Sequence, residues 1–126
     1  MIERLVSEVP ERIWQVATAR KGRVREEQFN VASWVRFHNS GGQLKLLIHY
    51  EDESGEHVTP VDGVSAPGDG TALLSGVVKL RFTGRVQAVR VLLGVSDSET
   101  SWSVDELYMQ RRGEAMTRQH KLIAGF

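Results

Sequence analysis

The chain has 126 residues, 40% of them hydrophobic, and its sixteen basic residues balance sixteen acidic ones. This length is that of one domain with a substantial core, and a net charge of zero gives no overall attraction for nucleic acid or an anionic membrane. The absence of cysteine excludes disulfides, thiolate catalysis and cysteine-bound zinc.

The N-terminal residues carry only weak patterns. Apolar residues recur at helical spacing before Pro10, which is typical of one or two helical turns or of an irregular lead-in: Ile2, Leu5, Val6 and Val9. Residues 13–18 alternate weakly and predict a first strand. The segment has no apolar stretch typical of a secretory signal, and no run in the chain could cross a bilayer, so we expect a cytoplasmic protein.

The clearest pattern lies in residues 28–51. Residues 28–38 and residues 43–51 each alternate between apolar and polar side chains, and Gly41 and Gly42 lie between the two runs. A period of two, with β-branched and aromatic residues and a glycine-bearing turn, predicts a β-hairpin with one buried face.

Shorter strands are predicted after this hairpin. Residues 52–56 are typical of an acidic, solvated turn, and residues 57–61 of a short returning strand. Residues 62–70 are rich in glycine and proline and predict a long loop. Residues 77–83 and 86–93 predict two further strands, the second of them almost continuously apolar and therefore central.

In the last predicted strand, residues 102–110, the apolar residues change from even to odd positions. Trp102 and Val104 share one parity, whereas Leu107 and Met109 share the other. A bulge near Asp105 and Glu106 would place all four apolar side chains on the core side.

These elements predict an all-β fold, a two-sheet antiparallel β-sandwich of the jelly-roll type, with a short N-terminal lead-in and a C-terminal tail. We expect one domain over residues 1–126, with the sandwich at about 11–112 and the tail at 113–126. The tail predicts either a short helix on the sandwich or a segment that docks on a partner. The predicted core is Phe29, Val31, Val35, Leu46, Ile48, Leu80, Phe82, Val89, Val91 and Val104.

Three segments resemble strands of the galactose-binding-like carbohydrate-binding modules. They are Gln28–Val35, Leu46–Gly55 and Trp102–Met109, the last of which contains Val104-Asp105-Glu106-Leu107. The resemblance implies a jelly roll that binds carbohydrate. It also implies that Asp105 corresponds to an aspartate that helps to hold a structural calcium ion, although the first predicted strand supplies no partner carboxylate.

A ligand-binding surface is predicted around Trp34. Its parity is opposite to that of Phe29 and Val31, so it lies on an outer face unless another segment covers it. Sugar rings stack on exposed aromatic rings, and their hydroxyl groups form hydrogen bonds with polar side chains beside those rings. If residues 28–51 form a hairpin, Trp34, Arg36, His38 and His49 share one concave surface. The alternative is that the N-terminal segment or the tail covers Trp34.

Other chemistry is weakly indicated. The four histidines show no helical ligand spacing, although His49 and His57 could approach each other across a turn at Gly55. No serine lies in a Gly-x-Ser-x-Gly setting, and we expect no enzyme activity. The basic groups at residues 20–25 and 79–90 have no interleaved aromatic residues, which favours solvated faces over nucleic-acid binding.

The sequence therefore predicts a non-catalytic binding module for carbohydrate or a related small ligand. The alternative is an intracellular protein-interaction or assembly module that uses an edge strand and the apolar residues of the tail, for example as a homodimer. Apart from the possible calcium ion, no cofactor is expected, and neither nucleic acid nor a membrane is expected as a partner.

Overall fold

Two antiparallel four-stranded sheets pack against each other in the computed structural model, which describes residues 2–15, 23–38, 42–65, 70–96, 101–113 and 120–123. The elements are β1 (Ile2–Glu8), α1 (Glu11–Trp14), β2 (Val24–Phe37), β3 (Gln43–Asp52), β4 (Gly55–Ser65), β5 (Gly70–Thr83), β6 (Ala88–Val95), β7 (Trp102–Arg111) and β8 (Lys121–Ile123). The first sheet has the strand order β1-β6-β3-β4, and the second has the order β5-β2-β7-β8. The prediction of an all-β antiparallel sandwich is confirmed.

The core lies between the inner faces of the two sheets. All ten predicted core residues belong to it or pack against it: nine are buried, and Val104 is half-buried. The predicted bulge is also present, because Trp34 pairs with Glu106 whereas Val35 pairs with Val104, which leaves Asp105 as the extra residue. This bulge brings Trp102 and Val104 to the same side as Leu107 and Met109.

The predicted hairpin of residues 28–51 is wrong. β2 pairs with β5 on one side and with β7 on the other, whereas β3 pairs with β4 and β6 in the opposite sheet. Both strands bury one face in the same core from opposite sides. Strands that face each other across a sandwich therefore show the same alternation as hairpin partners. The predicted turn at residues 39–42 lies, except for Gly42, outside the described residues.

The N-terminal predictions are corrected as well. Residues 2–8 form an edge strand with a bulge between Leu5 and Ser7, so that Val6 packs against the core while Leu5 is exposed. This bulge produces the spacing that resembles a helix. The strand predicted at residues 13–18 is instead the end of the one-turn helix α1, which buries Ile13 and Trp14; residues 16–18 lie outside the described residues.

Two other segments are more ordered than predicted. Most of the predicted loop at residues 62–70 belongs to β4 and β5, and residues 66–69 lie outside the described residues. Within the tail, β8 pairs with β7, and Leu122 and Ile123 pack against the chain's own core. Of the other apolar tail residues, Met116 and Phe126 lie outside the described residues. Among the described residues, no helix is long and apolar enough to cross a membrane.

A buried carboxylate, Asp52, joins the two sheets at one end of the sandwich. Its Oδ1 accepts hydrogen bonds from the Ser54 amide at 2.8 Å and the Ser54 hydroxyl at 2.6 Å, and its Oδ2 accepts one from the Thr83 amide of β5 at 2.8 Å. Burial alone would raise the pKa of Asp52, but these bonds and the contact with His57 outweigh burial and lower it. The prediction that residues 52–56 form a solvated turn is therefore wrong at Asp52.

The edge strands β4 and β5 of the two sheets contact each other directly along one side of the sandwich. Asp62 Oδ2 on β4 accepts a hydrogen bond from the Ser75 amide of β5 at 2.9 Å. At the next position, Gly76 has no side chain, and a Cβ there would lie 2.8 Å from the Val61 carbonyl oxygen. This approach of the two edge strands requires glycine at residue 76.

We predict that Phe82→Ala lowers the free energy of unfolding by ~3–5 kcal/mol, because it leaves a cavity among Phe29, Tyr50 and their neighbours. Urea denaturation measures the loss. The matched control is Val77→Thr, an exposed β-branched position on the same strand, for which we expect a change within about 0.5 kcal/mol. Equal midpoints for parent and Phe82→Ala would contradict the assigned core.

We predict that Asp52→Asn lowers the free energy of unfolding by ~1–3 kcal/mol at pH 6, since the hydrogen bonds from Ser54 and Thr83 lose their charged acceptor. The folded pKa of Asp52 lies below its unfolded value of about 3.9. The ionised carboxylate therefore stabilises the fold fully at pH values above the unfolded pKa, and this stabilisation is lost as the pH falls through the folded pKa.

Urea denaturation at pH 6 and in a series of steps below pH 4 measures this effect, with exposed Glu3→Gln as the control. The difference between the parent and Asp52→Asn should shrink in acid. A difference of the same size throughout the series would contradict the assigned ionisation of Asp52.

Candidate functional site

Trp34 lies on the outer face of the second sheet, three residues before the C-terminal end of β2. The inner face of β2 carries the core residues, so the period of two directs Trp34 outwards, where it is 41% exposed. Its cross-strand neighbours are Leu73 on β5, which is 45% exposed, and Glu106 on β7. An aromatic ring is thus presented on a sheet face between an aliphatic and an acidic neighbour.

Polar side chains lie on the β7 side of Trp34. Arg36 donates two hydrogen bonds to Asp105 Oδ2, from Nε at 3.2 Å and from Nη2 at 3.0 Å. Tyr108 donates its hydroxyl to Glu106 Oε2 at 3.0 Å, and Lys121 Nζ lies 3.7 Å from Glu106 Oε1. We call this set the Trp34 surface: Trp34, Arg36, Leu73, Asp105, Glu106, Tyr108 and Lys121.

The charges of the Trp34 surface are paired. Arg36 and Asp105 form one ion pair, and Lys121 lies between Glu106 and the ring of Tyr108, with Nζ 5.4 Å from the ring centroid. The hydrogen bond with Tyr108, together with the Glu106 carboxylate, raises the pKa of Lys121 above its ordinary value. The surface therefore offers hydrogen-bonding groups around an aromatic ring without a large net charge.

The structure brings together three of the four predicted ligand-binding residues. Trp34, Arg36 and His38 follow one another on the outer face of the second sheet, and His38 Nε2 lies 3.0 Å from Ser103 Oγ. His49 lies on β3, in the other sheet, so the single concave surface predicted for all four is wrong. The error follows from the wrong hairpin, because residues on the polar faces of facing strands point in opposite directions.

Asp105, which the family resemblance implies as a calcium ligand, forms an ion pair with Arg36 in this structure. It is the extra residue of the β7 bulge. Among the described residues, the one group of three metal-ligating side chains in close proximity does not include Asp105; it comprises His49, Glu51 and Glu56.

Three residues of the β3–β4 turn have the composition of a catalytic triad but not its geometry. Ser54 Oγ and Asp52 Oδ1 both contact His57 Nε2, at 2.7 and 3.2 Å, and the Ser54 hydroxyl is donated to Asp52. In a triad the acid binds Nδ1 and the nucleophile binds Nε2. Here the hydroxyl proton is directed at the carboxylate, so His57 cannot act as the base that removes it.

Sequence reasoning missed most of the Trp34 surface. The sequence does not place Leu73, Glu106, Tyr108 or Lys121 beside Trp34, because their proximity depends on the pairing of β2 with β5 and β7 and of β7 with β8. The basic residues at 79–90 also separate, since Lys79 and Arg81 lie on β5 and Arg90 lies on β6 of the other sheet.

Comparisons with protein-family models, with curated proteins and with solved structures give no match to this chain.

We predict that Trp34 provides most of the tryptophan fluorescence accessible to acrylamide. Trp14 is buried and Trp102 is half-buried, whereas Trp34 is open. Stern–Volmer quenching of Trp34→Phe should therefore fall well below that of the parent, and quenching of Trp14→Phe should not. If Trp34→Phe is quenched as strongly as the parent, another segment covers Trp34.

Proposed function

We propose that this chain is a non-catalytic binding module that holds a carbohydrate, or a small ligand with a similar pattern of hydroxyl groups, on the Trp34 surface. The observation that carries the proposal is the open indole ring on the outer face of the second sheet, with hydrogen-bonding side chains along one side. The non-polar C–H face of a sugar ring stacks on such an indole.

The charged side chains beside Trp34 support a ligand with hydroxyl groups. Sugar hydroxyls both donate and accept hydrogen bonds, and carboxylates beside guanidinium or ammonium groups provide both functions at one edge of the ring. Because Arg36 is held by Asp105 and Lys121 lies beside Glu106, these side chains are already oriented, which reduces the entropy lost on binding. The predicted family resemblance points to the same ligand class.

The alternative is a surface for a protein partner. Leu73, the cross-strand neighbour of Trp34, and Val77 are both exposed on the outer face of β5, with Ser75 between them. Exposed aliphatic side chains beside an aromatic anchor are typical of protein interfaces. In the described part of the tail, Leu122 and Ile123 pack against the chain's own core and are therefore less available to a partner.

A polysaccharide affinity panel tests the proposal. We expect the parent to be retained on at least one glycan, Trp34→Ala to lose retention completely, and Trp34→Phe to keep part of it, while the circular dichroism of each variant stays that of the parent. The control is Val58→Ala, an exposed apolar residue of the opposite sheet, which should bind as the parent does.

Failure of the parent to bind any glycan of a broad panel would overturn the carbohydrate proposal. If the parent also sediments as a dimer that Leu73→Glu dissociates, the protein-interaction alternative is supported. Retention that survives Trp34→Ala would show that a glycan binds elsewhere on the chain.

A further inference from the structure

A cluster of side chains that could bind a metal ion lies on the outer face of the first sheet, opposite to the Trp34 surface. His49 and Glu51 are two residues apart on β3 and therefore share a face, and Glu56 on β4 is the direct cross-strand partner of Glu51. One ligand atom from each of the three residues lies within 4.8 Å of the other two. Strand register thus brings an imidazole and two carboxylates together.

We propose that His49, Glu51 and Glu56 form a binding site for a divalent transition-metal ion of the zinc class. An imidazole nitrogen with two carboxylate oxygens is a donor set that suits zinc and its neighbours, whereas calcium requires six to eight oxygen ligands. His49 Nε2 lies 3.8 Å from Glu56 Oε1, a separation that one ion bound to both atoms can span.

Backbone pairing gives a reason for a cation that does not depend on side-chain positions. Two glutamates directly opposite each other on neighbouring strands repel, and such like-charged pairs destabilise a sheet. Arg90 provides one positive charge, but it is shared with Glu8, whose Oε1 accepts its Nε–H at 2.9 Å, as well as with Glu51 at 3.3 Å. A divalent ion between Glu51 and Glu56 would remove the repulsion.

The site combines a largely buried ligand with an exposed one. The His49 side chain is only 16% exposed, so its neighbours restrict the ring. The Glu56 side chain is 71% exposed and faces the solvent from which an ion would arrive. Three protein ligands leave a coordination position for water.

Arg90 competes with the metal in this arrangement. A guanidinium cannot give up its proton, so its contact with Nδ1 uses the lone pair of that nitrogen and leaves the proton of a neutral imidazole on Nε2. Metal binding at Nε2 moves this proton to Nδ1 and breaks the contact with Arg90. Removal of the Arg90 charge should therefore tighten binding, which is the opposite of the effect expected for a supporting residue.

Isothermal titration of the full chain with ZnCl₂ tests the site. We expect one ion per chain, and affinities at least about 10-fold weaker for His49→Gln and for Glu56→Gln, because loss of a ligand costs no less than loss of a residue that orients one. The matched controls should bind as the parent does: Glu3→Gln removes the same charge from the same face, and His38→Gln removes a histidine from the other sheet. Arg90→Gln should bind about 3–10-fold more tightly, the size of a close Coulomb interaction in water.

The outcomes separate clearly. Absence of binding at millimolar zinc, or equal affinities for the parent, His49→Gln and Glu56→Gln, would overturn the site. Calcium that binds as tightly as zinc would overturn the assigned metal class, and weaker binding by Arg90→Gln would overturn the competing role of Arg90. Because all the ligands lie on the opposite face from Trp34, the glycan panel and the zinc titration succeed or fail independently.

Discussion

The relative position of the two sheets depends on one strand, β3, that bonds to the backbone of the opposite sheet. The Tyr50 hydroxyl donates to the Arg81 carbonyl of β5 at 3.2 Å, and two residues later Asp52 accepts the Thr83 amide. The Tyr50 ring meets the Phe82 ring edge-on at a centroid distance of 5.3 Å. Apolar packing alone tolerates some sliding, whereas these directional bonds fix the offset between the facing strands.

The turn after β3 fixes the position of Asp52 and therefore of its bond to β5. Asp52 accepts three hydrogen bonds from Ser54 and Thr83, and Glu53 extends the link because its Oε2 accepts the Arg85 amide at 2.6 Å. Gly84 has a φ of 62°, and a side chain there would collide with the Glu53 carboxylate. Burial of the Asp52 charge costs little here, because each of its oxygens accepts hydrogen bonds.

A fixed sandwich with one buried face per strand leaves two outer faces for function. On the second sheet, Trp34 and the charged side chains beside it occupy the central strand and its β7 neighbour; on the first, His49, Glu51 and Glu56 span β3 and β4. Neither group contributes to the core, so both can change without loss of the fold. The same alternation that builds the core therefore also places the two proposed sites on opposite sides of the sandwich.

The sequence predicts well which face of each strand is buried, and poorly which strands pair with each other. The parity of Phe29, Val31, Leu46 and Ile48 identifies the inner face correctly, because burial acts on every second residue regardless of the neighbouring strand. Pairing depends on how loops cross between sheets, which a period of two does not encode. The bulge at Asp105 can be predicted because the apolar residues of β7 change from one parity to the other there. The bulge near Val6 cannot, because in the short strand β1 it gives the apolar residues a helical spacing.

The edges of the sheets bear on the assembly alternative. On β5, the Ser75 amide bonds to Asp62 and Gly76 lies against the Val61 carbonyl, so this part of the edge is occupied by β4 of the same chain. On the other side of the second sheet, β8 covers β7 at Leu107 and Tyr108. In the first sheet, the bulge in β1 interrupts the regular row of amides and carbonyls that a second chain would need. These contacts leave fewer regular backbone positions for pairing with a second chain. Among the described residues, three of the exposed large hydrophobic side chains, Trp34, Leu73 and Val77, share the outer face of the second sheet, where a partner protein could contact them together.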